Sequence, residues 1–329
     1  MKAKANWRMV VTAVAALSLL CGSAVGLEVL EGGCVVDTYC SYPFEVSVAP
    51  CGMPRGMVFD HYGNLYLSQW ISYPNNGVIY KVTPQRQAYE WVSGLGTPRR
   101  MVWAGGTEYG DYLYVADATP KDILKIDLDG NVSKFCHVNG GPHSLAMDVR
   151  GSYGERLHVA TRCPDNMPVV SVDGKVQMFS NFPGSVPGGH ADLTFDPGLR
   201  YGGYMYAVME DGKTRRRGVY GVFAVDQKGN AQRFTSAIVS AYNVQIAPCG
   251  VFGGDMFVAG KTNFNQTGNS IWRVSPAGDV TEFAAATRDT DLLIFTFGPD
   301  GAIYVPEYSM RDKEVIVNRI SEVGQLVER

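Results

Sequence analysis

Charge, histidine and long apolar runs are all scarce in this chain. Only 19% of its 329 residues are charged and the net charge is −3, so it lacks the basic footprint that a nucleic-acid partner requires. The apolar run Met9–Leu20 is shorter than the roughly 20 residues a spanning helix needs, and the chain reads as not membrane-spanning. None of the seven cysteines forms a C-x-x-C pair, which removes thioredoxin-like redox chemistry, c-type haem attachment and zinc ribbons. No G-x-S-x-G nucleophile elbow occurs either. Glycine and proline total 55 residues (38 and 17), about a sixth of the chain, which is below the roughly 25–30% of low-complexity sequence. What is plentiful is apolar and aromatic material, 46% and 11%, enough to build a core and to exclude disorder.

The first residues read as an export signal. Lys2, Lys4 and Arg8 precede the apolar run, and Ala24-Val25-Gly26 offers a small-x-small cleavage site. Residues 1–26 are therefore expected to be a signal peptide, with the mature chain starting at Leu27 and exported, secreted or periplasmic. Cys21 follows Leu20, which is too large for a lipobox. Six cysteines remain, an even number that suits disulfides in an oxidising compartment. Cys136 with Cys163 is the expected pair, Cys34 and Cys40 pair locally or with Cys51, and Cys249 is left over.

Internal repetition is the strongest signal. Six segments combine a glycine turn with a short aromatic-aliphatic strand: GNLYLSQW, GDYLYVAD, GERLHVAT, GGYMYAVM, GGDMFVAG and GAIYVPEY. Their aligned ring positions are Tyr66, Tyr114, His158, Tyr206, Phe257 and Tyr304, separated by 48, 44, 48, 51 and 47 residues. An apolar run precedes each, and a third strand follows. A fourth strand ending on a buried phenylalanine is visible in NVSKF, KVQMF, NAQRF and DVTEF. A 40–50-residue period built from strands predicts an all-β, six-bladed β-propeller of four-stranded blades. The last unit runs out of chain, and FEVSVAPCG (44–52) is expected to supply its outer strand and close the ring. Residues 27–43 then read as an N-terminal extension carrying Cys34 and Cys40, and 44–329 as the propeller.

Propeller chemistry collects where inner strands begin and second strands end. Arg55, Arg99, Arg100, His143, His190, Asp192 and Asn243 fall at such starts, and Trp70, Asp117, Arg162, Glu210, Lys261 and Glu307 at such ends. Arg55, Arg99, Asp117, Arg162, Glu210, Asn243, Lys261 and Glu307 are the ligand-binding candidates, since arginine forks suit carboxylate or phosphate oxygens. His143 and His190, on adjacent blades, are the catalytic candidates, and with Asp192 and Asn243 the candidates for a divalent cation. His158, at the repeat's aromatic position, reads as a core residue. DGKTRRRG (211–218) reads as a solvated basic hairpin or a contact for an acidic partner.

The stretches PRGMVFDHYGNLYLSQW, LGTPRRMVWAGGTEYGDYLYVADA, GPHSLAMD and IFTFGPDGAIYVPEY resemble the NHL-repeat and gluconolactonase-like (senescence marker protein) superfamily of six-bladed propellers. That resemblance implies a lactonase-type site, with a divalent metal held by a Glu of the first inner strand plus Asn and Asp. Here Pro54-Arg55-Gly56 supplies no carboxylate, and Asn243 with Asp192 or Asp291 supplies only part of the set. Similarly shaped peptide-amidating lyases use three axial histidines, against two here. The expected function is a secreted, monomeric propeller that holds a small polar or anionic ligand, or a protein partner's segment, at its axial rim. A metal-assisted hydrolase or lactonase acting on a sugar-derived or ester substrate is the alternative.

Overall fold

The computed structural model describes residues 27–44, 53–71, 76–161, 166–181, 191–209, 220–263, 266, 268–286, 292–309 and 311–323. Six antiparallel sheets follow one another along the chain, each with its first strand innermost. The inner strands of blades 1 to 6 are Gly56–Phe59, Pro98–Trp103, Pro142–Met147, Ala191–Phe195, Ser240–Ile246 and Thr296–Phe297. Blade 6 lies beside blade 1, so the blades close into a ring.

Burial explains why the repeat has the composition it has. Each blade packs face to face on the next, so second strands such as Leu65–Trp70, Leu113–Asp117 and Leu157–Thr161 are buried throughout. The core is accordingly six clusters, one per blade interface. Tyr66, Met101 and Leu113 sit in that between blades 1 and 2, and Leu67, Tyr304 and Val315 in that between blades 6 and 1. The repeated ring meets an aromatic residue of the outer strand within its own blade: Tyr114 with Phe135 at 4.9 Å, Tyr206 with Phe234 at 5.3 Å, and Phe257 with Phe283 at 5.0 Å. These edge-on geometries are among the favoured ones for aromatic pairs.

A second repeated tyrosine ties neighbouring blades. Tyr153 Oη donates to the Val225 carbonyl at 2.7 Å and accepts from Met205 N–H at 2.9 Å. Tyr109 makes the same pair of bonds to Val170 and Leu157, and Tyr201 to Val274 and Met256. In blade 5 the equivalent place is taken by Phe252, which packs apolar instead.

The ring is closed by an N-terminal strand, but from a different segment than expected. Cys34–Pro43 pairs antiparallel with Glu314–Glu322 as the outer strand of blade 6. This segment wins because its rings fill the last interface. Tyr42 stacks on Tyr80 at 4.4 Å and donates to Gln69 Oε1 at 2.6 Å, and Tyr39 meets Tyr304 edge-on. The stretch 27–43, expected as an N-terminal extension ahead of the propeller, thus supplies its closing strand, and residues 45–52 lie outside the described set. Leu27–Val29 adds a fifth strand to blade 5 against Ala284–Ala286, covering that blade's edge.

The thiols of Cys34, Cys40, Cys136 and Cys249 are free. Cys163, the expected partner of Cys136, is not among the described residues, and Cys136 has no disulfide partner among those that are. Cys34 and Cys40 cannot pair locally, because six residues of one strand span roughly 20 Å and a disulfide needs Cα atoms under about 7 Å apart. Cys51 and Cys163 lie outside the described residues.

Candidate functional site

The face where inner strands begin, here the upper face, carries a small cleft lined by Arg55, Arg99, Arg100, His143, Tyr242, Leu293 and Ile294. Its polar side chains arrive there by a common device. In blade 2 the ladder jumps from Pro98 to Met101, in blade 3 from Pro142 to Ser144, and in blade 5 from Ala241 to Asn243. The residues the ladder skips are Arg99 and Arg100, His143, and Tyr242. Such β-bulges turn a side chain out of the regular alternation, and here each turns one into the cleft.

Above the cleft, the guanidiniums of Arg55 and Arg99 each lie 4.9 Å from the Trp70 ring centroid. Cation–π contacts of this kind are worth about 0.5–2 kcal/mol each, depending on desolvation. The second strand of blade 1 also fixes both backbones: Arg55 N–H donates to the Ser68 carbonyl, and Ser68 Oγ donates to the Arg99 carbonyl at 2.7 Å. Gly56 is required where these blades meet, because a Cβ there would lie 2.1 Å from the Arg99 carbonyl oxygen.

Below the cleft, one polar network touches every blade. Buried Arg100 donates to the Arg55 carbonyl of blade 1 at 3.1 Å and to the Tyr242 carbonyl of blade 5 at 2.5 Å. Its Nε stands 3.3 Å from Asp192 Oδ1 of blade 4. Asp192 accepts from Ser144 Oγ of blade 3, from Asn243 Nδ2 at 2.5 Å and from Val244 N–H at 2.9 Å. Asn243 Oδ1 in turn accepts Phe295 N–H on the blade 6 side at 2.8 Å. Loss of hydration lowers the Arg100 pKa, and the Asp192 charge opposes that shift.

Gln245 extends the same belt by accepting from Phe297 N–H and donating to the Phe295 carbonyl. Side-chain amides thereby serve the backbone of residues 292–297, where only Thr296–Phe297 is strand although the sequence predicts a full inner strand.

This arrangement corrects part of the sequence reading. Asp192 and Asn243 are braces rather than metal ligands, and a guanidinium stands against the carboxylate that a cation would need. A divalent cation does not fit these residues, and no metal-holding cluster of His, Cys, Asp or Glu occurs among the described residues. Asp117 is also structural: its carboxylate accepts Gly96 N–H at 2.9 Å and Thr97 N–H at 2.6 Å, capping the turn into blade 2. Burial raises its pKa while these two bonds hold it down. Glu307 is buried on the second strand of blade 6, and Lys261 is half-buried at the end of the equivalent strand in blade 5. Arg55, Arg99 and His143 do converge. His190, Arg162, Glu210, Asp291 and the basic 211–218 segment lie outside the described residues. Sequence reasoning placed Arg100 at the rim without seeing that it is the axial hub, and the doubled arginine at a bulge was its only signal.

No family model matches the chain, and no curated protein matches it. Solved structures do. Virginiamycin B lyase from Staphylococcus aureus superposes with a TM-score of 0.57 at 9% identity, covering 88% of this chain and 99% of that one. A candidate gluconolactonase gives 0.57 at 10% identity, covering 89% and 94%. An auxiliary nutrient binding protein from Bacteroides ovatus gives 0.60 at 11% identity, covering 89% and 78%. What is shared is the fold. A lyase, a lactonase-like protein and a binding protein all use this propeller, so the fold leaves the activity open.

Proposed function

We propose that this propeller is a binding protein that holds an anionic small molecule, or an anionic segment of a partner, on its upper face. The observation that carries the reading is the set of three bulges that deliver Arg99 with Arg100, His143 and Tyr242 to one cleft. The room inside the cleft is about 20 Å³, enough for a single water. The ligand therefore rests on the rim, where Arg55 and Arg99 flank Trp70, and the Arg100 belt beneath serves as a fixed floor. A metal-assisted hydrolase gains no support from this floor, because its carboxylate is committed to an arginine. The charged start, apolar run and small-residue site before Leu27 support export of the chain.

Titration calorimetry with inorganic phosphate, citrate and glucose 6-phosphate tests the proposal. Binding should weaken as salt rises, and Arg55→Gln and Arg99→Gln should each weaken it by about tenfold, the loss of one charge-assisted contact. Unchanged affinity in both variants would overturn it.

A further inference from the structure

The larger opening on the axis is on the other face. Where the inner strands end, a funnel of about 290 Å³ leads up to the belt of Arg100, Asp192 and Asn243, which forms its floor. Its volume is close to the lower end of the range for small-molecule sites, roughly 300–1,000 Å³. We propose that this funnel is a second binding site, for an uncharged, mainly apolar small molecule carrying one or two hydrogen-bonding oxygens, such as a medium-chain alcohol or ester.

Three features set that chemistry. First, methionines from three successive blades, Met57, Met101 and Met147, line the funnel. Unbranched thioethers adapt to apolar guests of varied shape. Second, among the described residues the charged side chains lining the funnel are Arg100 and Asp192, which are paired with each other and hydrogen-bonded to three blades besides their own. A charged guest would lose its hydration and meet no uncompensated counter-charge, a penalty that a neutral guest avoids. Third, Thr194 and Thr296 bring hydroxyls to the wall, and among the described residues no group takes up either in a side-chain hydrogen bond, so they are available to a guest oxygen. Arg100 also separates this funnel from the upper cleft, so the two sites are chemically distinct and reached from opposite faces.

The test uses the full chain and the neutral fluorescent probe N-phenyl-1-naphthylamine. The expected result is saturable binding at one probe per chain, displaced by octan-1-ol and not by octanoate at equal concentration and pH 8. Val102→Phe, which narrows the funnel, and Val149→Asp, which puts a charge on its exposed rim, should each weaken the probe by about tenfold or more. Arg99→Gln, on the upper face, should leave it unchanged. Non-saturable binding, equal displacement by octanoate, or indifference to both funnel variants would overturn the proposal. Circular dichroism of each variant separates a narrowed funnel from a misfolded chain.

Discussion

Replacing His158 by phenylalanine should make the propeller markedly more resistant to mild acid. His158 occupies the repeated ring position, where Phe257 stands in blade 5, and it is fully buried. Phe179 and Phe195 surround it at 4.8 and 5.2 Å, and neither ring nitrogen has a hydrogen bond. The Tyr153 carbonyl lies near enough to favour the charged ring slightly, without hydrogen-bond geometry. Burial therefore dominates, aided by the Arg156 charge, and pushes the imidazole down from 6.5 to about 3. The sign follows directly. Below pH 6.5 the unfolded chain takes up a proton that the folded chain refuses, so stability falls steadily from about pH 6.5 to about pH 3. At pH 5 this is about 1.5 pH units at 1.36 kcal/mol each, or roughly 2 kcal/mol. Phenylalanine keeps the edge-on ring contacts and cannot titrate. Urea unfolding of both proteins at pH 8 and pH 5 is the assay, with stability taken from midpoint and slope. The advantage of His158→Phe over the parent should grow by about 2 kcal/mol between pH 8 and pH 5. An advantage of the same size at both pH values would refute the reasoning.

The axial belt gives a second test. Asp192→Leu leaves the Arg100 charge buried and uncompensated and should cost about 3–5 kcal/mol by denaturant unfolding, with Arg100→Met in the same chain recovering much of it. Tyr153→Phe removes one hydroxyl that bridges blades 3 and 4 by two hydrogen bonds, and should cost about 1–3 kcal/mol in the same measurement. Among the described cysteines, native maleimide labelling followed by peptide mapping should modify exposed Cys249 first. Cys40 and Cys136 should resist, because burial pushes both thiols up to about 12.

Much of the architecture was legible because it is periodic. One glycine turn and one buried ring every 44–51 residues marks a blade, and in blades 2, 4 and 5 the ring's partner lies within its own blade, a few tens of residues away. The closing strand was harder. FEVSVAPCG and the segment before it both alternate like a strand. What decides between them is whether Tyr39 and Tyr42 reach Tyr304 and Tyr80, pairings across most of the chain in one case. The candidate site was half legible. Residue type and position in the repeat located Arg55, Arg99 and His143 at the mouth, while the roles of Asp117, Asp192 and Asn243 depended on which hydrogen bonds they complete.

By itself the sequence determined the all-β class, the six blades, their order, the ring at the heart of each, and the lack of a motif for covalent or thiol chemistry. These are local properties, set by alternation, turn residues and spacing. The tertiary structure alone decided that the axis is divided in two. Arg100 and Asp192 lie 92 positions apart in the chain, and only ring closure brings them to 3.3 Å, where blades 1, 3 and 5 supply the buried pair's hydrogen-bond partners. That pairing turns would-be metal ligands into a floor, with a cationic rim above it and a methionine-lined funnel of mixed polar and apolar surface below.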